Sequence, residues 1–240
     1  MHALAPISDA AGVSALQPGP SISPHAFNVG RATGWLIALN VAVHAARRLL
    51  LDPANDERLV ENFAFAPELA FLDGVDGEAR LLALGLRALA SLFMHGDLMH
   101  LVVNMAFLLA FGTAVERRLG AARYVAFYLA TGVAALGGAL ALYWFAGESL
   151  LVLGASGSIS ALFAAASRFY FRPSERFSAG QQRRLPSGGS LALSFIVINL
   201  AFGLWGFDPM GGYRSVAWEV HIAGFVAGWL AFPLFDRGVA

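Results

Sequence analysis

LMHLVVNMAFLLAFGTAV, residues 98–115, runs without a single Asp, Glu, Lys or Arg, yet sets a histidine and an asparagine in its first two turns. A helix crossing hydrocarbon needs about 20 mostly apolar residues, because lipid offers no partner to unpaired backbone groups. The stretch therefore reads as a membrane span that is polar at one end. Working outward, 124–146, 149–167 and 188–207 are likewise free of charge, and 220–235 is a shorter apolar window. Residues 32–46 end against Arg47 and Arg48, so that window extends through Leu51 with the arginines snorkelling. These windows predict an all-α, polytopic bundle of six transmembrane helices.

Composition agrees with this class. Of 240 residues, 58% are hydrophobic and only 13% charged, against roughly 25% charged in soluble domains. Formal net charge is zero and every basic residue is Arg, with no basic stripe for a polyanion, which excludes nucleic acid as a partner. The absence of Cys removes disulfides, thiolate nucleophiles and thiolate metal sites together. Residues 1–30 carry no Arg or Lys, unlike a secretion signal or transit peptide. They read as a flexible tail before a membrane domain over 31–237, with 238–240 as the chain end.

Arginine near span ends prefers the cytoplasm. Arg117, Arg118 and Arg123 lie between the second and third windows, and Arg168, Arg172, Arg176, Arg183 and Arg184 between the fourth and fifth; the short loops opposite hold Arg214. Both termini are therefore expected in the cytoplasm, and the absence of a transit segment suggests a prokaryotic plasma membrane. Arg47 and Arg48 run against this orientation. Residues 52–97 are too long for a plain turn and must have their own structure. Their second half, 81–94, is apolar but interrupted by Arg87 and too short to span, which suits a segment in the outer interface or re-entering beside the bundle.

With this orientation, the second, fourth and sixth spans run inward from outside. His100 and Asn104 then share a depth with Ser156 and His221. His100 and Asn104 are four residues apart and project from nearly one helix face. His95 and His100 are five apart, which turns them about 140° from each other and makes a poor metal pair. Gly96 also stands where an HExxH site needs its glutamate, and Leu72, Asp73 and Gly74 form a decoy tripeptide without that motif. No metal and no cofactor is assigned. Taken singly, each residue has a plainer reading: Ser156 as a packing serine between Gly154 and Gly157, and His100, Asn104, Asn40 and Asn199 as groups bonding between helices. His44 could be interfacial, and His221 is evenly balanced, since ionisable residues inside membranes tend to mark function. The coincidence of four polar groups at one depth favours a site.

At these residues the chain resembles the rhomboid family of intramembrane serine proteases. HGDLMHLVVNM (95–105) is similar to the family's second-helix motif, GTAVERRLG (112–120) to the stretch that ends that helix, GASG (154–157) to the nucleophile motif, and HIAGFVAG (221–228) to the sixth-helix motif. The match covers roughly residues 30–237 in family order and is specific only in combination. It implies a six-helix bundle with a Ser–His dyad in a wet cavity open to the outside. Ser156 corresponds to the nucleophile, His221 to the base, and His100, Asn104 and the Ser156 backbone N–H to the oxyanion site. His95, Glu116, Arg117, Gly224 and Gly228 fall within the matching motifs, and Arg87 falls where the family's loop carries an arginine. Two positions depart: Leu86 replaces a tryptophan, and Ser160 replaces a tyrosine that in some members packs on the catalytic histidine. How His221 is held is left open by that second departure.

The chemistry fits these groups. A serine hydroxyl needs a base to accept its proton, and neutral imidazole serves near physiological pH. A tetrahedral intermediate needs fixed donors, which His100, Asn104 and the amino end of the fourth span can supply. Gly157 would leave room for substrate backbone beside Gly154, and Gly224 with Gly228 would press the sixth span on the fourth. GASGS lacks the last glycine of the GxSxG elbow. The leading expectation is cleavage within or near the outer end of other proteins' transmembrane segments, in the lipid bilayer. By resemblance, such substrates carry helix-destabilising residues and a small side chain before the cut. The alternative is a non-catalytic rhomboid-like protein that binds membrane clients. Against a solute transporter, the sequence lacks the inverted repeats and broken helices expected of one. The oligomeric state is left open.

Overall fold

Three aspartates begin three helices. Asp52, followed by Pro53, accepts the Asn55 amide at 2.9 Å; Asp76 accepts the amides of Glu78 and Ala79; Asp97 accepts that of His100 at 2.8 Å. Each carboxylate satisfies backbone donors that the first helical turn leaves unpaired. The computed structural model describes residues 29–74, 76–147, 151–169, 188–205 and 217–236. Among these it is helical: α1 Arg31–Leu50, α2 Pro53–Phe63, α3 Gly77–Ser91, α4 Leu98–Leu119, α5 Ala121–Ala146, α6 Ser156–Phe169, α7 Gly188–Trp205 and α8 Trp218–Phe235, with a 3₁₀ turn over Pro67–Phe71. The tail over 1–28 and the arginines at 172, 176, 183, 184 and 214 lie outside the described residues.

By length and composition α4, α5 and α8 are able to cross a membrane. Apolar side chains exposed on the bundle's outside include Trp35 of α1, Val102 and Phe107 of α4, Phe145 of α5, Val197 of α7 and Leu230 of α8. Such an apolar exterior suits a lipid rather than an aqueous surround. The interior forms where α5, α6 and α8 meet: Tyr124, Phe127 and Tyr128 of α5 are fully buried, with Leu162 of α6 and Phe232 of α8 in the same core. Helix α4 passes through a π turn at Leu108–Gly112, where a Cβ on Gly112 would lie 2.6 Å from the Tyr124 hydroxyl.

The connection from α1 to α4 holds two helices, and arginines tie it down. Arg47 is not snorkelling. Its guanidinium is buried, with Nε 2.7 Å and Nη2 3.2 Å from the two Asp56 carboxylate oxygens and Nη1 2.9 Å from the His95 carbonyl. Arg48 reaches Asp56 and the Gly96 carbonyl. These two cations therefore serve as clamps between α1, α2 and the turn before α4, which explains their presence against the charge bias. Arg87 of α3 donates to the carbonyls of Glu61 and Ala64 at 2.7 and 3.1 Å, meeting acceptors that the end of α2 leaves unpaired. The outer face of α3 exposes Leu81, Leu82 and Leu86.

Glu116 joins the other end of α4 to α1. Its carboxylate accepts the amides of Ala32 and Thr33 at 2.9 and 2.8 Å and the Thr33 hydroxyl at 2.8 Å. Gly30, the residue before α1, has no side chain to cap that helix, and a Cβ there would collide with the Glu116 carboxylate. An anion from α4 thus meets the positive end of the α1 dipole.

The fourth apolar window is corrected in one respect. Helix α6 begins at Ser156, not Ser149, and 151–155 is non-helical. Val152 exchanges two backbone hydrogen bonds with Phe65, at 2.9 and 2.8 Å, and the Gly154 amide donates to the Ser91 carbonyl at 2.8 Å. The segment is apolar because Val152, Gly154 and Ala155 are buried, and burial alone gives a helix and an extended segment the same hydrophobic signal.

Candidate active site

Ser156 is the first residue of α6, so its backbone N–H is among the donors that a helix start leaves unpaired. Gly154, two residues earlier, has φ +124°, a conformation that disfavours any side chain. A Cβ there would lie 2.8 Å from His100 Nε2 and 3.9 Å from Ser156 Oγ. Serine and imidazole thus flank one backbone point, brought together by the extended segment pinned to Phe65 and Ser91.

His100 is held from below. Asp97 caps the turn that carries it, and the ring of His95 stands edge-on to it with centroids 5.0 Å apart. Burial, and after it the nearby His100, His44 and Arg47, push His95 down to about 3, so it is neutral at physiological pH. Asn104 is buried one turn further on, where Nδ2 donates to the His100 carbonyl at 2.9 Å. One of its two amide hydrogens is used within α4, and the other is the donor available to a ligand.

His221 lies in the first turn of α8. The preceding Val220 has its Cγ1 3.2 Å from the Cβ position of Gly157, and a Cβ on Gly224 would stand 2.3 Å from the Gly157 carbonyl oxygen. One turn on, Gly228 lies equally close to Ala161. Small residues therefore let α8 approach α6 backbone to backbone, which sets the turn bearing His221 beside the turn bearing Ser156. Gly157 takes part in this contact: its Cβ position faces Ala135 at 2.7 Å as well as Val220. Its smallness therefore serves helix packing.

Serine 160, which stands in place of an aromatic residue, turns back to its own helix and donates to the Ser156 carbonyl at 2.8 Å. It gives His221 no support. Support comes from a residue to which the sequence reading assigned no role in the site: Asn199 of α7, whose Oδ1 lies 2.8 Å from His221 Nδ1. Only its polarity within an apolar span marked it beforehand. Glu116 and Arg117 lie at the other end of α4 from His100, where Glu116 bonds to the start of α1. Among the described residues no group of three or more His, Asp or Glu side chains is arranged to hold a metal ion.

The family model described as Rhomboid domain matches residues 85–237. Rhomboid protease GluP of Bacillus subtilis (strain 168) is 31% identical over 145 residues, which make up 60% of this chain and 25% of that protein. The chain thus matches about a quarter of the length of this curated relative.

Proposed function

We propose, from the premise that this chain belongs to the rhomboid family of intramembrane proteases, that it is a serine endopeptidase of membrane-protein substrates with Ser156 and His221 as its dyad. The observation that carries the reading is the close approach of α8 to α6 at Gly157, Val220 and Gly224, beside the serine that shares Gly154 with His100. In this reading Ser156 Oγ attacks the scissile carbonyl while His221 Nε2 takes its proton. The oxygen gains negative charge and meets the Ser156 N–H, His100 and the free N–H of Asn104. Collapse of the intermediate breaks the C–N bond, the imidazolium returns its proton to the departing amine, and water repeats the sequence to release the acyl fragment.

The wider reading is of one membrane domain over 31–237 with six spans, both termini cytoplasmic, in a prokaryotic plasma membrane. A substrate span with helix-destabilising residues near its outer end would unwind into the site, with a small residue before the cut. Mass spectrometry of peptides released from candidate single-span substrates tests this. Wild type is expected to release defined fragments and to take up a fluorophosphonate label, and Ser156→Ala to do neither. Equal release and labelling by the two proteins would overturn it.

A further inference from the structure

We propose that Asn199 is a positioning residue for His221, fixing the imidazole tautomer that leaves Nε2 free to take a proton from Ser156. The inference rests on the protease reading above for its consequence, but its geometry stands apart from it. The Asn199 amide is buried, with Nδ2 donating to the Phe195 carbonyl at 2.9 Å and Oδ1 lying 2.8 Å from His221 Nδ1. Turning the amide over would set Oδ1 against the Phe195 carbonyl, two acceptors face to face, so the Phe195 contact decides which atom faces the ring. An oxygen there accepts, and therefore Nδ1 carries the proton. Neutral imidazole has one N–H, so Nε2 is left with its lone pair.

The pairing is also in register with the rest of the α7–α8 contact. Phe195 lies four residues before Asn199 and Phe225 four residues after His221, and these two rings stack with centroids 5.0 Å apart. Phe195 stacks on Phe163 of α6 as well, at 5.3 Å. An antiparallel pair of helices that meets at Phe195 and Phe225 is bound to meet again one turn away at Asn199 and His221. The aromatic contacts hold the amide at its working distance. Asn199 thereby fills the role left vacant where Ser160 bonds to its own helix.

A neutral amide suits this setting. The α7 sequence has no charged residue, α5 has none from Tyr124 to its end, and α6 has none before Arg168 at its far end. Among the described residues the titratable group that acts on His221 from another helix is His100 of α4, and Glu219 lies two residues before it on its own helix; the other charged residues of α4 and α5 lie at the opposite ends of those helices. A carboxylate in place of Asn199 would favour the imidazolium.

Two measurements test the assignment, with Asn199→Ala, Asn199→Asp and wild type purified as full chains. In the first, kcat and KM for a Ser156-dependent substrate are followed against pH. Asn199→Ala is expected to lower kcat about tenfold, the size of one buried hydrogen bond, with KM unchanged. Asn199→Asp is expected to retain activity while moving the acid limb of the kcat profile to higher pH. In the second, ¹⁵N shifts of labelled histidine are recorded in Ser156→Ala protein, with the His221 signal identified by its loss in His221→Gln. Nδ1 of His221 should be protonated, and the tautomers should mix once Asn199→Ala is added. Wild-type kcat, acid limb and tautomer in both Asn199 variants would overturn the positioning role and leave the protease reading standing. Absence of Ser156-dependent cleavage in wild type would instead remove the protease reading, and the tautomer shift would still decide the role of Asn199.

Discussion

Gly224 and Gly157 meet backbone to backbone: a methyl group added to Gly224 would lie 2.3 Å from the Gly157 carbonyl oxygen and 3.0 Å from its carbon. Neither neighbour is a flexible side-chain tip, so the helices themselves must part. Gly224→Ala is expected to lower kcat strongly and Gly224→Val to abolish cleavage. Overpacking of about 1–3 kcal/mol should also lower the unfolding temperature in detergent. Full activity of a folded Gly224→Val protein would rule out this contact as what sets base against nucleophile.

Gly154 carries two constraints at once, a φ of +124° and an imidazole 2.8 Å from its Cβ position. Gly154→Ala should displace His100 or the serine turn, at a backbone cost of about 1–3 kcal/mol. The expected result is a loss of kcat/KM of tenfold or more with the fold retained, measured on a fluorogenic transmembrane substrate beside a circular dichroism spectrum.

Removing one donor to a developing oxyanion typically costs about 3–4 kcal/mol, a factor of 10²–10³ in kcat. Asn104→Ala should fall in that range with a small change in KM. Its buried bond to the His100 carbonyl also ends, so unfolding should be measured in parallel. A kcat within twofold of wild type would take Asn104 out of the oxyanion site.

Arg47 and Asp56 are a buried, doubly bonded pair. Breaking such a pair by removing one partner costs about 3–5 kcal/mol where a charge is left uncompensated; Arg48, 3.3 Å from Asp56, offsets part of that when Arg47 is removed. Arg47→Ala and Asp56→Ala should each lower the thermal midpoint markedly, and the double variant by less than their sum. A strictly additive double variant would mean that the two side chains do not depend on one another.

His95 titrates well below its ordinary value of 6.5, at about 3, because its ring is buried. Stability from this group is complete above pH 6.5. It is lost as pH falls toward 3, since the unfolded chain then takes up a proton that the folded chain refuses. Thermal unfolding of wild type should therefore weaken across that window, and His95→Phe should flatten the decline. Identical pH dependence in the two proteins would contradict the neutral buried ring.

Much of the candidate site was legible because polar residues are conspicuous in charge-free sequence. Ser156, His100, Asn104 and His221 stood out in this way, and α4 and α8 begin close to where their apolar windows begin. Other features depend on partners that sequence spacing does not reveal. Asn199 is as visible as Asn104, but its bond to His221 depends on how α7 lies against α8, which Phe195 and Phe225 decide. Arg47 reads as a membrane-edge cation until α2 folds back and brings Asp56 to it. The extended run over 151–155 was hidden inside the fourth apolar window because it is as apolar as a helix interior, and the backbone bonds to Phe65 and Ser91 that keep it extended leave no mark on composition.

Every residue of α6 is shielded by the other helices, fully or in part; none is exposed. The element that begins with Ser156 thus turns most of its surface toward protein, and among the described residues it presents no fully exposed side chain to the bilayer. Acyl-chain length, headgroup charge and lateral pressure therefore reach Ser156 chiefly as strain relayed through the surrounding shell. In reconstituted vesicles, changing lipid composition should therefore alter how readily a client enters while sparing the acylation step itself.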